Sequence, residues 1–268
     1  MDEGVVSYDA PLILTEEDTK RIQSKSVITD FKRSKLEMEA MKNWDKFYRR
    51  NSANFFKDRH WSRHELLELC PDISPQEPVV FLEAGCGVGN MVFPIAEYFP
   101  SWQLNAFDFS ANAIKLLDER SDASKITVNT AIKDLTEPSH FNDETFPLAD
   151  LTTLVFVLSS IHPDKHTTVI RNLTKYVKCG GLIIVRDYGV NDHAMVRFAV
   201  DNKLADRFYV RQDGTRAYFF YIDELKKIFT DEGYEALRSE YLFKNTQNRL
   251  KNLCVDRVFV QAVFRRIR

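Results

Sequence analysis

The stretch Val79-Val80-Phe81-Leu82-Glu83-Ala84-Gly85-Cys86-Gly87-Val88-Gly89-Asn90 decides the fold. An apolar run ends in an acid, and three glycines follow at alternate positions. Further on, Asn105-Ala106-Phe107-Asp108 ends a second apolar run in another acid. The order is strand, tight glycine turn, helix, second strand, carboxylate. A parallel α/β sheet presents an adenosine ligand in this way, with the carboxylate meeting the ribose hydroxyls. Side chains in place of the glycines would keep the backbone away from that ligand.

The spacing argues against a dinucleotide. That fingerprint is G-x-G-x-x-G, with a helix N-terminus aimed at a pyrophosphate. Here the third glycine comes one position early, and Asn90 stands where the fingerprint wants Gly. Glu83, just before the first glycine, would repel a diphosphate but suits a cationic ligand. S-adenosylmethionine, with its sulfonium and ammonium groups, fits a negative rim of this kind.

From Glu77 onward strands and helices alternate. Strands are expected at Val79–Glu83, Gln103–Asp108, Ile126–Thr130, Leu151–Val157 and Gly181–Arg186. Helices are expected at Gly89–Glu97, Ala111–Glu119 and Asp164–Val177, with Ser110 capping the second and Cys179-Gly180-Gly181 ending the third. The unbroken apolar run Leu151–Leu158 suits a strand covered on both faces. Residues 187–220 form an insert in which Phe208–Gln212 and Thr215–Phe220 flank Asp213-Gly214, the signal of a two-residue hairpin. A helix at Ile222–Thr230 and strands near Glu240–Lys244 and Arg257–Phe264 close the sheet. Ahead of the core, Ile28–Arg50 reads as one amphipathic helix, followed by a loop of mixed aromatics and cations, Asn51–Trp61.

Composition bounds the function. The 268 residues are 44% hydrophobic with 20 Phe, ample for a packed core. Nothing approaches the ~18–20 apolar residues of a membrane span, and the acidic N-terminus reads as neither a secretory signal nor a transit peptide. Cys70, Cys86, Cys179 and Cys254 fit no zinc spacing and read as reduced thiols, so a cytoplasmic or nuclear location without metal is expected. His60, His162 and His193 also lack metal-ligand spacing. Net charge is −2, yet Lys20–Arg63 holds 13 Lys/Arg against 5 Asp/Glu, and Arg238–Arg268 holds 8 against 2. Both ends therefore suggest a cationic surface for a polyanion beside an acidic body. With no amphipathic seam to spare, a monomer is expected.

Several strings together resemble one family. They are Lys42–Tyr48, Phe55–Trp61, Glu83–Asn90, Phe156–Ser159 with His162–Lys165, Arg186–Gly189, Asp192–Met195 and Phe208–Arg216. From about Leu14 onward the chain resembles the class I S-adenosylmethionine-dependent methyltransferases, and within them the tRNA N3-methylcytidine methyltransferases. The resemblance implies an α/β, Rossmann-like, mostly parallel sheet with an antiparallel C-terminal strand. Residues 1–75 would then be a helical and aromatic-basic extension serving as cofactor lid and tRNA contact, and 76–268 the methyltransferase domain, with the insert 187–220 contributing to tRNA binding. It further implies N3-methylation of cytidine at position 32 in the anticodon loop of tRNA. The compact N-terminus is most similar to the branch acting on serine tRNAs with seryl-tRNA synthetase.

By that resemblance Gly85 and Gly87 approach the methionine part of the cofactor, and Asp108 takes the ribose hydroxyls. Asp134 meets the adenine amine, Leu135 packs on its ring, Val155 lies along the cofactor, and Trp44 and Tyr48, four residues apart, close over it. No Asp/Asn-Pro-Pro-aromatic string for exocyclic amines follows the fourth strand, and no cysteine nucleophile for carbon-5 chemistry stands there. Cytosine N3, with its own lone pair, needs neither, though the base must be unpaired and turned out. Asp187 is expected to stabilise charge toward the cytosine amine, with Phe156 and Arg211 as further catalytic candidates; the competing reading pairs Asp187 with Arg186 or Arg211 as support. Phe55, Phe56 and Trp61 would stack on loop bases, while Lys57, Arg59, Arg63, Arg211, Arg216 and Arg257 meet phosphates. The competing readings are a methyltransferase acting on a protein or small molecule, and a non-catalytic RNA-binding protein with this fold.

Overall fold

The computed structural model describes residues 5–51, 63–248 and 253–268. Its elements run β1 (Val5–Tyr8), α1 (Glu16–Gln23), α2 (Asp30–Met38), α3 (Ala40–Asn51), α4 (Arg63–Leu69), β2 (Val80–Ala84), α5 (Val92–Tyr98), β3 (Gln103–Asp108) and α6 (Ala111–Ser124). They continue with β4 (Val128–Ile132), β5 (Ala149–Val155), α7 (His166–Thr174), β6 (Val177–Tyr188), α8 (His193–Arg197), β7 (Lys203–Ala205), β8 (Phe208–Val210), β9 (Arg216–Tyr218), α9 (Ile222–Asp231), β10 (Tyr234–Asn248) and β11 (Leu253–Arg266). No helix among the described residues is long and apolar enough to cross a membrane.

Eight strands form one sheet in the order β1-β10-β11-β6-β5-β2-β3-β4. β4, β3, β2, β5 and β6 are parallel, and β11 runs antiparallel to both β6 and β10. The order reverses at β2, which has β3 on one side and β5 on the other. A crevice opens there beyond the carboxyl ends of the strands.

The pleat explains why these strands are apolar on both sides. Leu82 and Ala84 of β2 face one core with Phe107, Ile183 and Val185; Phe81 faces the other with Leu104, Ala106 and Ile184. α7 and α9 bury Val169, Ile170, Leu173, Leu225 and Phe229 in the first core, while α4 and α5 bury Leu66, Val92 and Ile95 in the second. Ser110 caps α6 as expected, its Oγ accepting from the Ala113 N–H at 3.2 Å. Many aromatics belong to a second, three-stranded sheet, β7-β8-β9, whose Phe208, Tyr209 and Tyr218 join the first core.

The structure departs from the sequence reading in four places. Ile28–Arg50 is two helices, α2 and α3, parted at Glu39, where ψ rises to 8°. Cys179-Gly180-Gly181 lies inside β6, looping out where the pairing with β5 slips between Val177 and Leu182; α7 has already ended at Thr174. Val210 pairs with Arg216, so the hairpin loop is the five residues Arg211–Thr215 rather than Asp213-Gly214 alone. β1 extends the sheet by pairing Val5–Tyr8 with Tyr241–Lys244 of β10, an edge the sequence did not signal.

Residues 5–51 lie against the body. The buried Lys25 ammonium donates to the carbonyls of Met195 and Val196 at 2.6 and 2.8 Å, and burial brings its pKa down to about 8. α3 buries Phe47 and Tyr48 against Val88 and Ala113.

Candidate functional site

The turn after β2 owes its shape to glycine. Gly85 has φ +70°, and a Cβ there would fall 2.6 Å from Val157 Cγ2. Gly87 has φ +54°, and a Cβ would fall 2.7 Å from the Tyr48 hydroxyl oxygen. The N–H groups of Gly85 and Cys86 donate to the Phe107 carbonyl at 2.8 and 3.0 Å, which binds the turn to β3. Backbone thus lines the crevice where side chains would fill it.

Two cavities meet along this turn, of about 280 and about 430 Å³. Trp44, Tyr48, Gly85 and Phe156 line both, and α3 lies over them as a shared wall. Asp108, Asp134, Leu135 and Met41 border the first cavity; Glu83, Val155, Tyr188, Phe259, Arg211 and Arg257 border the second.

Asp108 sits fully buried at the end of β3. Its Oδ2 accepts from the Gly87 N–H and its Oδ1 from the Ser110 N–H, each at 2.9 Å. Burial pushes its carboxyl up to about 6, against the opposing pull of those backbone donors. Two ribose hydroxyls can still reach the remaining lone pairs of such a carboxylate. Asp134 Oδ1 accepts from Thr136 N–H and Oγ1 at 2.8 and 2.9 Å, which turns the loop so that Leu135 faces the cavity. Glu83 Oε2 accepts from the Val92 N–H at the start of α5 at 3.1 Å. These residues fit an adenosine bearing a cationic tail: backbone room at Gly85 and Gly87, a ribose acceptor, an apolar wall for a ring, and an acid near the tail.

The second cavity combines rings and guanidinium groups. Phe156 lies 4.8 Å from Tyr188 and 5.5 Å from Phe259, centroid to centroid. Arg211 stands 5.6 Å over Tyr188, and Arg257 lies 5.3 Å from the Phe259 centroid. Fully buried Asp192 fixes Arg257, accepting from its Nε and from the Val258 N–H at 2.8 Å each. Flat faces flanked by forked donors suit a planar heterocycle with a carbonyl edge. Tyr188, Phe259 and Asp192 were not singled out individually from sequence, although Tyr188 and Asp192 stand in quoted strings.

All eight sequence-predicted cofactor residues come together here: Trp44, Tyr48, Gly85, Gly87, Asp108, Asp134, Leu135 and Val155 line the crevice, as do Phe156 and Arg211. Two expectations are corrected. Asp187 lines neither cavity; it is fully buried, with Oδ2 accepting from the Ser159 N–H at 2.9 Å and Oδ1 from the Tyr188 N–H at 2.8 Å. It shapes the loop after β5, while Arg186 pairs with Glu65 and Gln261 instead. Arg216 is buried and ion-paired with Glu37 of α2; it borders both cavities from within the protein and is not the exposed surface cation expected. Arg63 lies apart from the crevice, 5.6 Å over Phe99. Phe55, Phe56, Lys57, Arg59 and Trp61 fall outside the described residues.

Burial and the nearby carboxylates of Asp108 and Glu83 push the Cys86 thiol well above its ordinary value, so the cysteine in the glycine turn is no nucleophile.

Comparison with known proteins agrees with this geometry. A family described as a methyltransferase domain matches residues 82–183. The tRNA N(3)-cytidine methyltransferase METTL6 of Homo sapiens is 45% identical over 259 residues, covering 95% of this chain and 90% of that protein. The tRNA(Thr) (cytosine(32)-N(3))-methyltransferase of Saccharomyces cerevisiae is 34% identical over 264 residues, covering 97% of this chain and 42% of that one. The fold is shared with the N-methyltransferase NodS of Bradyrhizobium japonicum, solved with S-adenosyl-l-homocysteine, at TM-score 0.54 and 19% identity over 84% of this chain and 100% of that one. The chain belongs to the S-adenosylmethionine-dependent tRNA N3-cytidine methyltransferases.

Proposed function

We propose that this protein methylates N3 of a cytidine in the anticodon loop of tRNA, at position 32, and that serine tRNAs are its acceptors. The observation that carries the reading is the junction of the two cavities at Phe156 and Gly85. One side is built for an adenosine with a cationic tail, the other for a flat base. S-adenosylmethionine supplies, when bound, a methyl group on a sulfonium that is open to in-line attack.

The chain's own residues then have three tasks. Trp44 and Tyr48 cover the crevice and exclude water. Phe156 and Tyr188 offer ring faces to hold the turned-out cytosine, and Arg211 or Arg257 donates to its O2. N3 would take the methyl through its own ring lone pair, with no proton to remove and the positive charge left on the base. No general base is required, which is consistent with the buried position of Asp187. Alignment supplies the rate enhancement.

Lys46, Arg50 and Gln212 border a third cavity, of about 440 Å³, which shares Phe47 and Asp213 with the second. The two cations, Lys46 and Arg50, extend the site toward a phosphate backbone. Free cysteines among the described residues support action in a reducing compartment, the cytoplasm, and the proposal includes a monomer with seryl-tRNA synthetase as partner. The test is transfer of labelled methyl to total tRNA and to protein extract, with nucleoside digestion of the product. Label in N3-methylcytidine supports the reading; label only in protein overturns it.

A further inference from the structure

One turn of α3 touches three walls of the crevice with three successive residues. Trp44 faces both cavities. Asp45, beside it, grips the start of α6: its Oδ1 accepts from Ser110 Oγ at 2.8 Å and from the Asn112 N–H at 3.1 Å, and its Oδ2 from Asn112 Nδ2 at 2.6 Å. Ser110 is also the residue whose N–H holds Asp108 Oδ1 at 2.9 Å. On the other flank, buried Asn43 donates from Nδ2 to the Gly214 carbonyl at 3.2 Å. The fit is close, because a Cβ on Gly214 would fall 2.7 Å from that nitrogen.

Gly214 belongs to the loop that sets the acceptor side. Asp213 Oδ1 accepts from Thr215 N–H and Oγ1 at 2.9 and 2.7 Å, and Arg211 Nη1 donates to Thr215 Oγ1 at 3.3 Å and to the Arg216 carbonyl at 2.7 Å. The guanidinium so placed is the one over Tyr188. From Asp108 through Ser110 and Asp45 to Asn43, Gly214 and Arg211, an unbroken set of contacts joins the ribose acceptor to the base chamber.

We infer that the turn Asn43-Trp44-Asp45 is a clasp that couples the two halves of the site, with Asn43 and Asp45 as positioning residues. Seating the adenosine orders Asp108, Ser110 and, through Asp45, α3. α3 then presents Asn43 to the hairpin loop that holds Arg211. By linkage, a polynucleotide that orders the loop tightens the cofactor site by the same factor. The inference rests on the methyltransferase reading above.

The experiment measures affinity for S-adenosylhomocysteine by calorimetry on the full chain, alone and with saturating total tRNA. The wild type is expected to bind about fivefold or more tightly with tRNA present. Asn43→Ala is expected to lose that gain while still binding the nucleoside. Asn43→Asp, which keeps the size but sets a carboxylate against the Gly214 carbonyl, is expected to match it, with S-adenosylhomocysteine binding in the absence of tRNA retained as the check on folding. An undiminished gain in both variants, or no gain in the wild type, overturns the clasp. Absence of any heat from S-adenosylhomocysteine overturns the methyltransferase reading itself and is distinguishable from either result.

Discussion

The Asp187 carboxylate, at the end of β6, holds the backbone N–H of Ser159, just beyond β5, at 2.9 Å. One side chain thereby joins the two strands that carry the acceptor wall. Burial pushes its carboxyl up to about 6, with the Ser159 contacts and the Tyr188 N–H opposing. Asp187→Ala would leave both N–H groups buried without partners, at a cost of about 2 kcal/mol. The expected outcome is a lower urea midpoint, weaker S-adenosylhomocysteine binding and lost turnover together. Normal stability and cofactor affinity with turnover alone abolished would return Asp187 to a direct chemical role.

If Asp108 meets the ribose, cofactor binding depends on acidity. With its carboxyl at about 6, the ionised form that accepts ribose hydroxyls falls away as pH drops below that value. If only that form binds, S-adenosylhomocysteine affinity at pH 5.5 should be about fourfold below its plateau above pH 7.5. Asp108→Asn should bind weakly and show a flatter profile. A pH-independent wild type would remove Asp108 from the ribose contact.

Gly87 and Tyr48 form a steric pair that a double substitution can test. Gly87→Ala places a methyl against the Tyr48 hydroxyl, in a left-handed backbone that costs about 1 kcal/mol for a residue with a Cβ. Binding of S-adenosylhomocysteine should fall roughly tenfold or more, the steric clash adding to that backbone cost. Removing the hydroxyl with Tyr48→Phe should restore part of the loss. Additive effects of the two changes would refute the contact.

Glu37 pairs with buried Arg216 and, at 2.6 Å, with Lys165. Glu37→Gln leaves the guanidinium unbalanced. Since Glu37 keeps 26% side-chain exposure, the expected cost is about 2 kcal/mol, below that of a fully buried pair. Chemical denaturation measures it; an unchanged midpoint would mean that water reaches Arg216.

tRNA affinity should fall steeply with salt, roughly tenfold or more between 50 and 200 mM. Arg63→Ala should reduce the slope by about one if that side chain meets a phosphate. Salt-insensitive binding would refute the cationic surface.

Much of the site was legible because its determinants are local. Glycines at 85, 87 and 89, an acid closing β3 and Ser110 before α6 each constrain their own backbone, so spacing alone reveals them. The errors arose where local patterns underdetermine distant partners. Asp187 stands at the carboxyl end of a strand, and that position says nothing about which way its side chain turns; the turn is set by the Ser159 N–H, 28 residues away in sequence. Arg216 looked like a surface cation because its partner Glu37 lies 179 residues earlier. The break at Glu39 was hidden because apolar spacing runs on through α2 and α3, both of which border the same cavity. The four residues of β1 carry little pattern, and the residues they pair with on β10 lie more than 230 positions later.

Phe156 has φ +59°, a left-handed backbone that a bulky residue rarely adopts, and its N–H is held by the Arg186 carbonyl at 2.8 Å. Strain of this kind persists only where surrounding structure enforces it. The chain therefore carries backbone strain at a ring that stands where the two cavities meet, and a glycine there would relieve the strain while merging the two chambers.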